Sequence, residues 1–142
     1  RRLVAAGASL RLCKGAYDEP ADIAHQDREA IRDAYVEVAG ILLGAAARGG
    51  GRPRFATHDH VLLHRVRDEV ARQGLTDDVF EVQTLYGVRP AWEAELVRRG
   101  LDVRVYVPFG TRWYPYLVRR LAERPANLQF FLRALWSGRR SA

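Results

Sequence analysis

The sequence predicts an α/β fold, a parallel sheet amounting to half of a β/α barrel, on three observations. Short apolar stretches alternate with longer amphipathic ones four times, at the spacing of a βα unit. Each amphipathic stretch ends at glycine or proline. Polar residues gather on or just after the apolar stretches, where such folds collect ligands: Arg11, Lys14 and Tyr17, then Thr57 and His58, then Gln83, Tyr86 and Tyr106.

In chain order, the first ten residues read as the tail of a helix and a turn at Gly7. Residues 10–15 form the first strand, short and apolar, with Ala16, Tyr17 and Asp18 as its exit. The helix over 21–48 carries Ile31, Ala34, Tyr35, Val38, Ile41 and Leu42 on one face and stops at Gly49, Gly50, Gly51 and Pro53. The second strand, 53–56, opens into Thr57, His58 and Asp59. An amphipathic helix over 61–73 follows, with Leu62, Val66 and Val70 inward and Gly74 as its cap. The third strand, 79–85, exits through Tyr86, Gly87 and Val88; a short helix over 92–99 is stopped by Gly100. The fourth strand, 103–107, is closed by Pro108, Phe109 and Gly110.

The last helix, within residues 114–127, is the densest in chemistry. Tyr116, Arg119, Arg120 and Glu123 fall at i, i+3, i+4 and i+7 and share a polar face, while Leu117, Val118, Leu121 and Ala122 form the apolar one. Two guanidinium forks on one face suit a carboxylate or phosphate gripped bidentately, and Glu123 is within helical reach of both. Arg-Arg also occurs at Arg1, Arg98 and Arg139, so the dipeptide alone marks nothing more than a solvated, ion-paired face. Pro125 ends the helix near Glu123 or Arg124.

With 142 residues, 48% of them hydrophobic and 28% charged, the chain suits one globular domain. No apolar run approaches the roughly 18 residues of a membrane span and nothing resembles a signal peptide, so a soluble protein is expected. The chain does not begin with methionine and reads as the C-terminal part of something longer. The single cysteine, Cys13, reads as a small core residue in a reducing compartment. His58 and His60 flank Asp59 without further metal ligands, and no zinc framework is present. A net charge of +6 raises nucleic acid as a partner, yet the basic residues are interleaved with acids along the whole chain rather than clustered. Lys14 is the only lysine among 23 basic residues, which suggests that a compact point charge is wanted there.

Five stretches carry a family resemblance: 11–17 (RLCKGAY), 55–59 (FATHD), 81–87 (EVQTLYG), 105–110 (VYVPFG) and 116–127 (YLVRRLAERPAN). In order and in position at strand ends they resemble the successive motifs of the proline dehydrogenase family. The resemblance implies a (β/α)8 TIM-like barrel of which only the last four βα units are present in this chain. Residues 1–127 would be that half and 128–142 a C-terminal amphipathic helix with a polar tail. It implies FAD-dependent oxidation of L-proline to Δ1-pyrroline-5-carboxylate, with electrons passed to a quinone. Arg11 would be the catalytic arginine at the flavin N5 edge, where a fixed cation stabilises reduced flavin. Lys14, Gly15 and Ala16 resemble the cofactor loop, the two small residues letting backbone approach the flavin or its phosphates. Thr57 and His58 resemble the residues meeting the adenosine side, and Gln83 one facing the flavin. On the substrate side, Leu85 would be an apolar wall and Tyr106 the aromatic against the pyrrolidine ring. Arg119 and Arg120 would clamp the carboxylate, with Glu123 orienting them; the clamp matters because hydride transfer needs the donor held at near-attack distance.

The family's substrate-side lysine and flavin-side aspartate lie in the half of the barrel this chain lacks. Four units leave two exposed parallel edges and an uncovered inner face, so the chain alone is expected to be unstable, weakly active or inactive. Closure of a barrel by two copies is a lesser expectation. Leu128, Phe131, Leu132, Leu135 and Trp136 form an apolar stripe expected to pack on the barrel. Its second use would be peripheral contact at the inner face of the cell membrane by a cytoplasmic, monofunctional enzyme. Two rivals stand: a basic, non-catalytic module binding nucleic acid or protein, and a truncated barrel that binds no flavin.

Overall fold

Apolar side chains alternate with polar ones along the short strands and recur every third or fourth residue in the helices, and the computed structural model places both sets on one core. It describes residues 2–15 and 19–111. The elements are α1 (Arg2–Ala5), β1 (Arg11–Cys13), α2 (Arg28–Ala47), β2 (Arg54–Ala56), α3 (His60–Arg72), a 3-10 turn (Asp77–Val79), β3 (Glu81–Leu85), α4 (Pro90–Arg98) and β4 (Val103–Tyr106). The four strands are parallel in the spatial order β1-β2-β3-β4. That unreversed succession is how barrel strands follow one another, whereas a doubly wound sheet reverses its order.

Leu12, Phe55, Val82 and Val103 stand in register across the four strands and face the helices. Phe55 is fully buried, its ring centroid 5.3 Å from that of Phe80 and 6.2 Å from that of Tyr35. Leu62, Val66 and Val70 pack inward from α3 as their spacing predicts. The Tyr35 hydroxyl donates to the Leu12 carbonyl at 3.0 Å, so this buried ring pins α2 to β1 without an unmet polar group.

Several boundaries and faces differ from expectation. α2 begins at Arg28, because Asp27 has extended backbone and its carboxylate accepts the Ala30 N–H. Before it, Pro20–Ala24 closes a separate turn held by the Gln26 amide. α2 buries Tyr35, Ala39, Leu42 and Leu43, leaving Val38 and Ile41 about two-fifths exposed, since the small Ala39 brings that side of the helix close. β3 starts at Glu81 because the preceding residues form the 3-10 turn. α4 starts at Pro90, whose missing N–H is unneeded in a first turn. Cys13 is exposed rather than core, because its parity in β1 places it opposite the helix-facing Leu12.

Two glycines are required by geometry. Gly74, at φ +68°, ends α3 and lets Leu75 N–H reach the Val70 carbonyl at 3.0 Å. A Cβ on Gly51 would stand 2.5 Å from the Ala8 backbone, so only glycine lets the β2 entry lie against the β1 entry. Ser9 then donates to the Arg52 carbonyl at 2.7 Å.

Candidate functional site

Register sorts the residues opposite the helices into three rungs. The first holds Arg11, Arg54 and Glu81; the second Cys13, Ala56, Gln83 and Arg104; the third Leu85 and Tyr106. Successive rungs are two residues apart, roughly 6.6 Å along the strands. Arg11 therefore sits on the rung nearest the strands' N-terminal ends, and its side chain must run along the sheet to reach the exit. Gln83 is buried, Leu85 half-buried and Tyr106 half-exposed.

Glu81 is the hub of this face. Its carboxylate accepts both Arg104 Nε (2.9 Å) and the other Arg104 fork nitrogen (2.8 Å), and Gln83 donates to it at 2.6 Å. Arg104's guanidinium, acting against burial, holds the Glu81 carboxyl down at about 2. Gln83 is thus oriented by an acid two residues before it on the same side of β3.

At the strand exits a second network forms. Lys14 Nζ donates to Asp59 Oδ2 at 2.9 Å, and Arg32 of α2 clamps the same carboxylate through Nε (3.0 Å) and a terminal nitrogen (3.1 Å). Asp59 also caps α3 by accepting the Leu62 N–H at 3.2 Å, and its own N–H donates to Thr57 Oγ1 at 3.0 Å. Burial would raise the Asp59 carboxyl. Hydrogen bonds from Lys14, the Leu62 amide and Arg32 outweigh that and hold it well below the usual carboxylate range.

His58 Nε2 accepts the Leu85 N–H at 3.0 Å, which ties the β2 exit to the end of β3 and places the ring proton on Nδ1. Burial first, and Arg89 as well, lower its pKa against the opposing effects of Glu93 and the Leu85 contact, so the ring is neutral at pH 7. His60 lies apart, its Nδ1 3.3 Å from Arg89. Gly15 has φ +89° and open space where a Cβ would stand.

The structure thus gathers Lys14, Gly15, Thr57, His58, Leu85 and Tyr106 at strand exits, with Gln83 one rung below and Arg11 two. Ala16, Arg119, Arg120 and Glu123 lie outside the described residues, as does the segment 128–142. Sequence reasoning passed over Asp59, Arg32, Glu81 and Arg104. Asp59 stands where a helix cap precedes an apolar run, and Glu81 and Gln83 share a parity opposite Val82, which are the signals that could have found them. A groove of about 460 Å³ lies elsewhere, between α2 and α3, among ion-paired Asp33, Arg65, Glu69 and Arg72.

Comparison with known proteins bears on the whole described sheet. The family model described as proline dehydrogenase matches residues 5–133. Proline dehydrogenase 1 of Bacillus subtilis (strain 168) is 39% identical over 127 residues, 89% of this chain and 41% of that protein. The proline dehydrogenase of Deinococcus radiodurans is 36% identical over 130 residues, 92% and 41% of the two chains. Proline dehydrogenase 2 of Bacillus subtilis is 35% identical over 126 residues, 89% and 40%. The chain spans about two-fifths of the length of these curated relatives. A match over 5–133 that takes in all four strands and every candidate residue on them places the chain in the proline dehydrogenase family.

Proposed function

We propose that this chain is the C-terminal half of a β/α barrel that oxidises L-proline to Δ1-pyrroline-5-carboxylate with FAD, electrons passing to a quinone. The observation that carries the reading is a coincidence. The span shared with relatives named proline dehydrogenase is the span whose strand exits assemble Lys14, Gly15, Thr57 and His58.

The residues present fit a flavin dinucleotide. The open face over Gly15 admits close approach of a phosphate or ring edge, Lys14 adds a cation beside it, and His58 keeps Nδ1–H as a donor while its other nitrogen is engaged. FAD, when bound, supplies the acceptor for the hydride leaving the ring carbon of proline. Arg11 contributes positive charge toward the flavin, and Gln83, held by Glu81, presents a fixed amide. Leu85 and Tyr106, in register on the last rung, form the apolar wall for the pyrrolidine ring. Arg119 and Arg120 bind the carboxylate and Glu123 orients them. The apolar residues within 128–142 suit peripheral contact with the cytoplasmic membrane surface, where a quinone is met. Among the described residues no helix is long and apolar enough to cross a membrane.

A basic nucleic-acid module is the weaker reading, because Arg32, Arg65, Arg67, Arg72 and Arg104 are each spent on carboxylates. Absorbance of the purified full-length protein, followed by anaerobic addition of proline, tests the proposal. Flavin bands that bleach are expected; a well-folded protein without flavin bands overturns it. Arg120→Ala should weaken apparent proline binding by about 2–5 kcal/mol, as for a severed buried charge pair. An unchanged KM would remove Arg120 from the clamp.

A further inference from the structure

Lys14 stands on the loop leaving a three-residue strand, next to Gly15, which has φ +89° and nothing within 4 Å of where a Cβ would stand. An ammonium on a flexible stem is held only as firmly as its acceptor. Among the described residues that acceptor is Asp59 Oδ2 at 2.9 Å, which engages one N–H of the ammonium and leaves the others available to a ligand. What holds Asp59 therefore decides where the charge of Lys14 stands.

Arg32 does most of that holding. All three of its guanidinium nitrogens are engaged: Nε by Asp59 Oδ2 at 3.0 Å, one terminal nitrogen by Asp59 Oδ1 at 3.1 Å and the other by Glu29. The fork meets both carboxylate oxygens and so fixes the plane of the group, whereas the Leu62 N–H at 3.2 Å reaches Oδ1 alone. The side chains of Arg32 and Asp59 are only 11% and 14% exposed, so water competes little for their contact. Arg32 itself stands on a fixed base. Tyr35, one turn further along the same face of α2, donates to the Leu12 carbonyl two residues before Lys14. α2 thus grips the β1 exit twice, at its backbone through Tyr35 and at its charge through Arg32 and Asp59.

Resting on the flavoenzyme reading above, we propose that Arg32 is a positioning residue for the cofactor: acting through Asp59, it holds the Lys14 ammonium beside the opening over Gly15 to meet a phosphate of the flavin dinucleotide. Arg32 touches no ligand itself, since its nitrogens are engaged by Asp59 and Glu29. Lysine replaces it only in part, because a single ammonium does not span both carboxylate oxygens.

The test is a double-mutant cycle in the full-length protein, read by FAD titration of the apoprotein and by thermal midpoint. Arg32→Met should weaken FAD binding about tenfold, and Lys14→Met at least as much. In the Lys14→Met background, Arg32→Met should change FAD affinity by less than about twofold while still lowering the midpoint, because the fold still loses the Arg32–Asp59 bridge. Arg32→Lys should fall between, at about threefold, with a midpoint near that of wild type. A loss of FAD affinity in Arg32→Met that persists undiminished without Lys14 overturns the proposal, and so does wild-type affinity in Arg32→Met. If Arg32→Met does not fold, Arg32→Lys takes its place in the cycle: a loss of affinity that disappears in the Lys14→Met background supports the proposal, and one that persists, or no loss at all, overturns it. Wild-type flavin that bleaches with proline, together with additive losses in the cycle, rejects the role of Arg32 alone; a folded wild-type protein that takes up no FAD rejects the enzyme reading and this role with it.

Discussion

On the helix side of the sheet, Leu12, Phe55 and Val82 form one in-register row against Tyr35, Leu43, Leu62 and Val66; on the other side the same strands set Arg11, Arg54 and Glu81 in a row of charge. The first row is satisfied within this chain, since every neighbour it needs comes from α2, α3 and the strands themselves. Among the described residues the second is satisfied only in part, through Glu81 and Arg104. Strand parity thus separates what makes the sheet fold from the face on which the proposed cofactor and substrate would lie. Damage to one row should read out differently from damage to the other.

The largest effect is expected on the helix side. Phe55→Ala removes a fully buried ring shared by Tyr35 and Phe80 and should cost about 3–5 kcal/mol, the range for large-to-small changes in a packed core. Denaturant midpoints of the full-length protein measure it, and flavin content should fall in step with the folded fraction. Loss of flavin from protein that keeps its wild-type midpoint would show that the two faces are not separable in this way.

Much of the helix-facing row was legible, and little of the charged one. Leu62, Val66 and Val70 announce their face by spacing, Gly74 and Gly100 mark helix ends, and the strand cores lie where short apolar runs meet turn residues. α2 was misread because its apolar residues nearly circle the helix. Periodicity could not choose between Ile41 and Leu43, and the extended backbone at Asp27 breaks a path that composition alone permits. Cys13 was misplaced because one small residue in a three-residue strand carries no parity signal. The Lys14–Asp59 and Arg32–Asp59 pairs join residues 45 and 27 apart, and Glu81 meets Arg104 across 23. Such pairings are set by register and helix packing, neither of which leaves a local pattern.

A middle-sized effect should come from the charged row. Glu81→Gln keeps the shape of the hub and removes its charge, leaving Arg104, Arg54 and Arg11 with no carboxylate on their rungs. The folded-state pKa of Glu81, about 2, lies below its ordinary 4.5. Its stabilisation is therefore fully present above pH 4.5 and is lost as pH falls through about 2. The variant should have a lower thermal midpoint than wild type at pH 7, and the gap should narrow between pH 4.5 and pH 2. A gap independent of pH would mean that Glu81 acts through packing, contrary to the contrast between the rows.

The smallest effect sharpens the contrast where the two rows meet, at Asp59, which serves the fold by capping α3 and the site by holding Lys14. Asn and Ala separate the two duties. Asp59→Asn keeps an oxygen for the Leu62 N–H but gives up the charge that binds Lys14 and Arg32; Asp59→Ala gives up both. The alanine variant should therefore be less stable than the asparagine variant by about 1 kcal/mol, the usual value of a cap. Both should lose the acid-side decline that the depressed Asp59 carboxyl contributes, because that stabilisation is fully present above its ordinary pKa and is lost as pH falls toward its depressed one. Flavin affinity, measured by titrating the apoprotein, should fall alike in both, since neither positions Lys14. Equal stability with equal loss of flavin would leave Asp59 belonging to the site alone, while a stability difference with flavin affinity untouched would assign it wholly to the helix.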